Sequence, residues 1–233
     1  SIEAKSKSAS APELLYSEVI EAQERLNAAG EVLTPLDAGR LRAELIAARK
    51  HGLNSVAIAF LHGYRHPRHE SVAAELARSV GFPQVSVSHE VSPLIRLISR
   101  GDTTVVDAYL SPLLARYVSE LRDELAREFG HPRLYFMQSN GGLTDAGSFR
   151  GMNSILSGPA GGLVGMMKAG GAAGFERLIG FDMGGTSTDV SLYDGRYPRR
   201  FDSTVAGVRL NVPMMNVHTV AAGGGSILRF ASG

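Results

Sequence analysis

The sequence predicts an α/β protein in two parts: a mostly parallel sheet covered by helices, then an antiparallel β-meander. Three observations carry this expectation. Helix-period and strand-like segments alternate three times up to Met137, the pattern of parallel strands joined by helices. From Gln138 to Gly174 the chain then turns rich in Gly, Ala and Ser. After Arg177 the apolar period falls from 3.6 to 2, the period of half-buried strands. A length of 233 residues sets one or two domains, with a core large enough to stand in water.

Residues 1–30 read as a leader, partly disordered, because Ser1 to Ala11 is polar and small and lacks the apolar centre of a signal peptide. Leu36 to Gly52 predicts a helix with Asp37 as N-cap, Leu41, Leu45 and Ile46 on one face, and Gly52 as its stop. Asn54 to Leu61 predicts a buried strand. A polar turn through Pro67 leads to a second helix over 68–80, with Val72, Leu76 and Val80 in phase and Gly81 ending it. Gln84 to Ser88 is a short strand. Thr103 to Phe129 is mostly helical, on a stripe of Leu110, Leu114, Tyr117, Leu121 and Leu125. Its main part is expected to begin at Pro112 with Ser111 as cap, since proline is tolerated at the first helical position. Arg133 to Met137 is the third strand.

Ser157 to Gly162 opens a small-residue helix running through Val164, Met166, Met167 and Ala169. Gly161, Gly162 and Gly165 are expected on a face packed against another backbone; a mobile glycine-rich linker is the plain alternative. Strands follow near 178–183, 187–193, 199–206 and 215–220, with Asp194-Gly195 as a hairpin signal between the second and third. The first lobe is thus set at 31–175 and the start of a second, truncated one at 176–233. The chain starts without methionine, and strand-like residues run from Ser226 into the terminus. Both features suggest a piece of a longer protein.

Lys plus Arg is 24 and Asp plus Glu is 23, so the net charge is +1 and nothing advertises a nucleic-acid or anionic-membrane surface. The absence of cysteine excludes disulfides and thiolate metal sites and fits a cytoplasmic protein. No apolar stretch approaches the ~20 residues of a membrane-spanning helix.

Chemistry concentrates in Ile179-Gly180-Phe181-Asp182-Met183-Gly184-Gly185-Thr186-Ser187-Thr188-Asp189-Val190-Ser191-Leu192. An apolar strand ends in an aspartate, a two-glycine turn and a hydroxyl cluster follow, and a second alternating strand returns. Such a hairpin holds a carboxylate beside bare backbone N–H groups. That suits a polyphosphate with Mg²⁺: Asp182 reaches the metal through water, while Gly184, Gly185, Thr186, Ser187 and Thr188 face phosphate oxygens. Gly223, Gly224, Gly225 and Ser226 form a second loop able to admit a ligand close to the backbone.

Other constellations carry less. Gly158, Gly161, Gly162 and Gly165 precede a helix with Asp182 about 20 residues on, but the spacing is not that of a dinucleotide-binding turn. His62, His66 and His69 lie beside Arg65 and Arg68, which repel a cation, and read as loop and cap residues. His89, Glu90 and His218 stay open between structural and functional roles. No serine–histidine–aspartate set can be assembled from spacing.

An Asp-x-Gly-Gly-Thr hairpin after a small-residue crossing helix resembles the second phosphate motif of the actin-like ATPase superfamily, whose lobes are ribonuclease H-like. Within it, several runs resemble the hydantoinase A / 5-oxoprolinase family: Ser88 to Pro93, Asp107 to Pro112, Gln138 to Leu143, Leu156 to Gly162, Asp182 to Val190 and His218 to Ser226. They cover the chain from about Glu31 to Phe230 in one order. The resemblance implies an ATP- and Mg²⁺-dependent hydrolase of cyclic amides, of hydantoin or 5-oxoproline type, that activates a carbonyl oxygen by phosphorylation. A ketone carboxylase subunit and a non-catalytic nucleotide-gated scaffold are the alternatives. It further implies a small cyclic amide or ketone as substrate, a hydantoinase B-like partner subunit, Asp182 as the catalytic carboxylate, and Asn140, Gly141 and Gly142 near the substrate. The family's first phosphate hairpin has no counterpart before Glu31, and its later adenosine motif has none in this chain. The chain alone is therefore expected to hold part of a nucleotide cleft.

Overall fold

The computed structural model describes residues 14–205 and 207–227. These form two compact units of a mixed α/β fold with several small sheets. The first comprises residues 14–128 with Arg150–Met152 and Asp202–Val212. The second comprises Phe129–Phe149, Asn153–Phe201 and residues 213–227.

The first unit opens with β1 (Arg25–Leu26) paired antiparallel to β2 (Val32–Thr34). Residues 14–30 are therefore not a free leader. Leu26 is buried, Ile20 and Ala22 pack on the core, and Glu24 binds His69 at 2.7 Å. Residues 1–13 lie outside the described residues.

Helix α1 (Ala38–Lys50) starts where expected: the Asp37 carboxylate accepts the Arg40 amide at 2.9 Å. Strand β3 (Ser55–Ile58) pairs in parallel with β4 (Gln84–Val87), joined through α2 (Arg68–Val80). Gly81 ends α2 at φ +95°, the left-handed stop that glycine supplies. Leu41, Leu45 and Ala48 of α1 close with Ala73, Ala74 and Ala77 of α2 over Ile58, Phe82 and Val87.

The buried face of α2 is not the expected one. Ala73, Ala74 and Ala77 are buried, Leu76 and Val80 are half-buried, and Val72 is exposed. Polar anchors set this rotation. His69 and Glu70 in the first turn are both buried and hydrogen-bonded, which turns the alanines inward.

The anchor at Glu70 is extensive. Its side chain is wholly buried and accepts from the Phe60 amide at 2.7 Å, Ser88 Oγ at 2.5 Å, the His89 amide at 3.1 Å and His89 Nδ1 at 2.7 Å. Arg100, also wholly buried, donates through Nε to Ser88 Oγ at 2.8 Å and through its other nitrogens to the Leu94 and Phe60 carbonyls. Burial pulls the Arg100 guanidinium below its usual pKa, while the Glu70 charge pushes it back up. Two buried charges are thus kept by a full set of hydrogen bonds.

After α3 (Ser88–Val91), one helix of 33 residues, α4 (Leu97–Phe129), runs straight through Pro112. The expected start at Pro112 is wrong. Proline removes one helical bond, at about 3 kcal/mol, but the turn before it is held from outside. Buried Asp107 accepts from Ser86 Oγ at 2.7 Å, Ser111 Oγ at 3.2 Å and the Met152 amide at 3.2 Å. Ser111 anchors to Asp107 rather than capping a new helix. On the predicted stripe Tyr117 is exposed, and neighbouring Val118 is buried in its place.

In the second unit, β5 (Tyr135–Met137) pairs antiparallel with β6 (Leu143–Asp145) and is not a third parallel strand. Helix α5 (Ser157–Ala172) and the strands β7 (Leu178–Met183) and β8 (Thr188–Tyr193) fall where expected. Then come β9 (Arg199–Val205) and β10 (Val208–Met215), whose residues fall partly in the first unit, and β11 (Val217–Val220) in the second. The pairing stays antiparallel, but its order is β11-β8-β7, with β9 and β10 paired to each other. Asp194-Gly195 is a turn with Gly195 at φ +92°, yet it joins strands of different sheets. Ala160, Leu163 and Met167 of α5 pack with Met215, Val217 and Tyr193. Of the strand expected to run past Ser226, residues 228–233 lie outside the described residues.

Candidate functional site

In the β7–β8 hairpin Asp182 lies opposite Asp189 and Met183 opposite Thr188, and the Gly184 amide closes the turn on the Ser187 carbonyl at 2.9 Å. Directly opposed residues share a face, so the two carboxylates stand side by side. Asp189 was not among the candidate residues. Its signal was available in the alternation that pairs it with Asp182 across the turn. Thr219 on β11 completes the row, donating its hydroxyl to Asp189 Oδ1 at 2.6 Å. Asp182 is exposed and Asp189 half-buried. Opposed like charges are unfavourable in a sheet, and a cation bound between them would relieve that repulsion.

The acidic face is the one that meets α5. A Cβ on Gly170 would touch the Leu178 side chain, and one on Gly180 would touch Met166. Leu178, Gly180 and Asp182 alternate along one face. Two strand residues advance about 6.6 Å and four helical ones about 6 Å. Continuing that step brings Gly162 to the level of Asp182. A Cβ on Gly162 or Gly165 meets nothing within 4 Å among the described residues, and Gly161 meets only Met137, at 3.4 Å. The expectation that these three glycines pack against backbone is therefore corrected. Close packing falls on Gly170, and the space beside Gly162 is open.

The two glycine loops are brought together. The Gly224 amide donates to the Gly184 carbonyl at 2.9 Å and the Gly225 amide to the Gly185 carbonyl at 2.8 Å. A Cβ on Gly223 would lie 2.6 Å from the Gly184 carbonyl oxygen and 2.7 Å from the Thr186 nitrogen, a contact that backbone cannot yield to cheaply. Thr188, 5% exposed, donates its hydroxyl to the Ala222 carbonyl at 2.6 Å. Ser226 Oγ accepts the Gly223 amide at 3.0 Å. Thr188 and Ser226 thus fasten the loops. Thr186 and Gly185 are exposed and Ser187 half-buried, and their amides make no hydrogen bond to the described residues.

Asn140, Gly141 and Gly142 form the β5–β6 turn. Asn140 Oδ1 accepts the Gly142 amide at 2.7 Å, and Gly141 has φ +80° with Met215 and Val164 against it. Among the described residues no hydrogen bond joins this turn to Asp182 or to the glycine loops. Of the three clustered histidines, His66 Nε2 meets the Ala28 carbonyl at 3.2 Å and His69 pairs with Glu24. His89 is held by Glu70, and His218 is exposed on β11.

The glycine loops thus bring bare backbone beside two carboxylates. The described residues contain no group of three or more metal-ligating side chains. Mg²⁺ needs only one or two carboxylates when phosphate oxygens and water complete its shell.

A Hydantoinase/oxoprolinase family model matches residues 100–233, more than half of the chain, and a Hydantoinase/oxoprolinase N-terminal region model matches residues 2–81. The 5-oxoprolinase of Saccharomyces cerevisiae is 44% identical over 209 residues, covering 87% of this chain and 16% of that protein. Among solved structures, the ATP-dependent caprolactamase from Pseudomonas jessenii superposes with a TM-score of 0.78 at 36% identity, over 90% of this chain and 31% of that one. A nucleotide-free acetone carboxylase superposes with a TM-score of 0.77 at 25% identity, over 90% of this chain and 30% of that one. The chain thus spans about a sixth to a third of the length of the relatives it matches.

Proposed function

Because the chain belongs to the hydantoinase/oxoprolinase family, we propose that it is the central part of an ATP-dependent hydrolase acting on cyclic amides. The observation that carries this is the fusion of the 184–188 and 223–226 loops by backbone hydrogen bonds, beside the Asp182–Asp189 pair. The named activities of the 5-oxoprolinase and caprolactamase relatives favour a cyclic amide. The acetone carboxylase neighbour supports a ketone as the second choice.

An amide oxygen is a poor leaving group, and ATP with Mg²⁺ supplies the phosphoryl group that makes it a good one. The chain's own residues position and neutralise. Asp182 and Asp189 would hold the cation between adjacent carboxylates, Asp182 by way of water, and Thr219 orients Asp189. Gly184 and Gly185 keep the turn bare of side chains, so that the Gly185, Thr186 and Ser187 amides would be free to hold phosphate oxygens. Thr188 and Ser226 hold the Gly223–Gly225 segment in register with that turn.

The same reading keeps Asn140, Gly141 and Gly142 as the substrate-side turn and adds a hydantoinase B-like partner and a cytoplasmic location. It treats 31–175 as a first lobe ending in α5, and 176–233 as the start of a second. The test is ATP turnover by the full-length protein with hydantoin, 5-oxoproline, caprolactam and acetone offered separately. Turnover stimulated by a cyclic amide supports the reading. Stimulation by acetone with bicarbonate, and by no amide, replaces it with the carboxylase.

A further inference from the structure

Among the described residues three histidines of the first unit meet a glutamate through Nδ1, and they do so in different settings. His69 and Glu24 bury each other, at 7% and 9% side-chain exposure. His51 is exposed and reaches Glu18 only at 3.4 Å. His89 combines a buried partner with an open edge. Its Nδ1 lies 2.7 Å from the wholly buried Glu70, while its side chain stays 19% exposed.

A carboxylate only accepts, so Nδ1 carries the proton and Nε2 keeps its lone pair. Glu70 already receives the Phe60 amide, the Ser88 hydroxyl and the His89 amide. Any side-chain donor could be the fourth, but an imidazole adds an acceptor on its other edge. Among the described residues Nε2 makes no hydrogen bond. Glu90 Oε1 stands 4.0 Å from it and Arg150 Nη2 3.9 Å from Glu90 Oε2, both beyond hydrogen-bond reach and both side chains about half exposed. On the inner side Arg100 joins Glu70 through Ser88 Oγ, and its guanidinium covers the Tyr64 ring at 5.5 Å. The Glu70 side of the ring is thus fixed, and the Nε2 edge is left for chemistry.

We propose that His89 is a catalytic base, held by Glu70, that takes a proton at Nε2 from the water that opens the activated amide. This rests on the cyclic-amide reading above. Water adds to the phosphorylated carbonyl carbon: a C–O bond forms, one water proton passes to Nε2, and the C=N pair moves onto the amide nitrogen. The imidazolium, balanced by the Glu70 carboxylate, gives its proton to that nitrogen. The C–N bond then breaks as the remaining hydroxyl proton moves to the nitrogen, which leaves the free amine and an acyl phosphate. A second water hydrolyses the acyl phosphate to carboxylate and phosphate. His89 ends neutral, and Glu70 and Ser88 are positioning residues.

The test compares His89→Asn with the parent full-length protein. Asparagine keeps a nitrogen donor near Nδ1 for Glu70 and has nothing at Nε2. Ring-opened product is measured across pH, and stability by urea denaturation. The parent's kcat/KM should fall on the acid side between about pH 5 and 8, where histidine takes up its proton. The variant should lose at least about 100-fold in ring opening, and that acid limb with it, at an unchanged urea midpoint. Parent-like turnover makes His89 a structural clamp and overturns the inference. So does a loss of turnover that keeps the acid limb or follows a fallen midpoint. His89→Gly with added imidazole gives a second reading: imidazole should restore part of the turnover, and no rescue contradicts a base at this position. A parent without cyclic-amide turnover overturns the function reading as well, whereas an active parent with an active His89→Asn overturns this inference alone.

Discussion

Gly225 donates its amide to the Gly185 carbonyl at 2.8 Å, so the loop after β11 and the turn between β7 and β8 behave as one body. Two motifs nearly forty residues apart are joined backbone to backbone, and glycine is required where they touch.

Gly223→Ala tests that requirement. Its Cβ would stand 2.6 Å from the Gly184 oxygen, and the loops must part to admit it. Overpacking of this kind costs roughly 1–3 kcal/mol, while misplacement of the amides should lower ATP-dependent turnover about 10–100-fold. Melting temperature and turnover of the full-length variant, measured together, check the separation. Loss of melting temperature without loss of turnover contradicts it.

Helix α5 offers a paired test of packing. Gly162 has an open Cβ position, so Gly162→Ala should stabilise the helix by about 0.5–1 kcal/mol. At Gly170 a Cβ would meet the Leu178 side chain at 2.5 Å, and Gly170→Ala should destabilise by about 1–3 kcal/mol. Urea denaturation of the chain measures both, and the two changes should have opposite signs.

Glu70→Gln addresses the buried ionic network. The substitution keeps size but removes the counter-charge of Arg100, and it faces Ser88 and His89 with an amide that cannot accept all four donors. A loss of about 3–5 kcal/mol is expected, because an uncompensated charge stays buried. A denaturation midpoint close to that of the parent chain would mean the network relaxes to water.

How much of this was legible in the sequence follows from the range of the forces involved. Local signals were sufficient for Asp37, Gly81 and the β7–β8 hairpin, where a cap, a left-handed glycine or a tight turn decides the outcome within a few residues. They failed where distant partners decide. Pro112 stays inside α4 because Asp107 is bound by Ser86 and Met152 from elsewhere in the chain. Val72 loses the core face of α2 because Glu24 and Ser88 hold the first turn. β10 was not among the expected strands; it contains Pro213, which an edge position in a two-stranded pair tolerates. At the site, the residues were legible but their assembly was not. Nothing local says that Gly223 lies on Gly184, that Thr188 turns toward Ala222, or that Asp189 stands beside Asp182.

The 233-residue chain should bind ATP only weakly, with a dissociation constant of about millimolar or worse, since the first phosphate hairpin and the adenosine motif expected of the family are not in it. Titration calorimetry with Mg²⁺ and ATP checks this. Micromolar binding would show that the loops described here are sufficient.

The most direct measurement is cyclic-amide-dependent ATP turnover by the full-length protein with Asp182→Asn, across a Mg²⁺ titration. The substitution keeps shape and removes one charge from the Asp182–Asp189 pair. Turnover should fall about 10–100-fold or more, and the Mg²⁺ requirement should move to higher concentration, with the fold intact by circular dichroism. Unchanged turnover with an unaltered Mg²⁺ dependence would make Asp182 an ordinary turn residue and contradict the phosphate-site assignment.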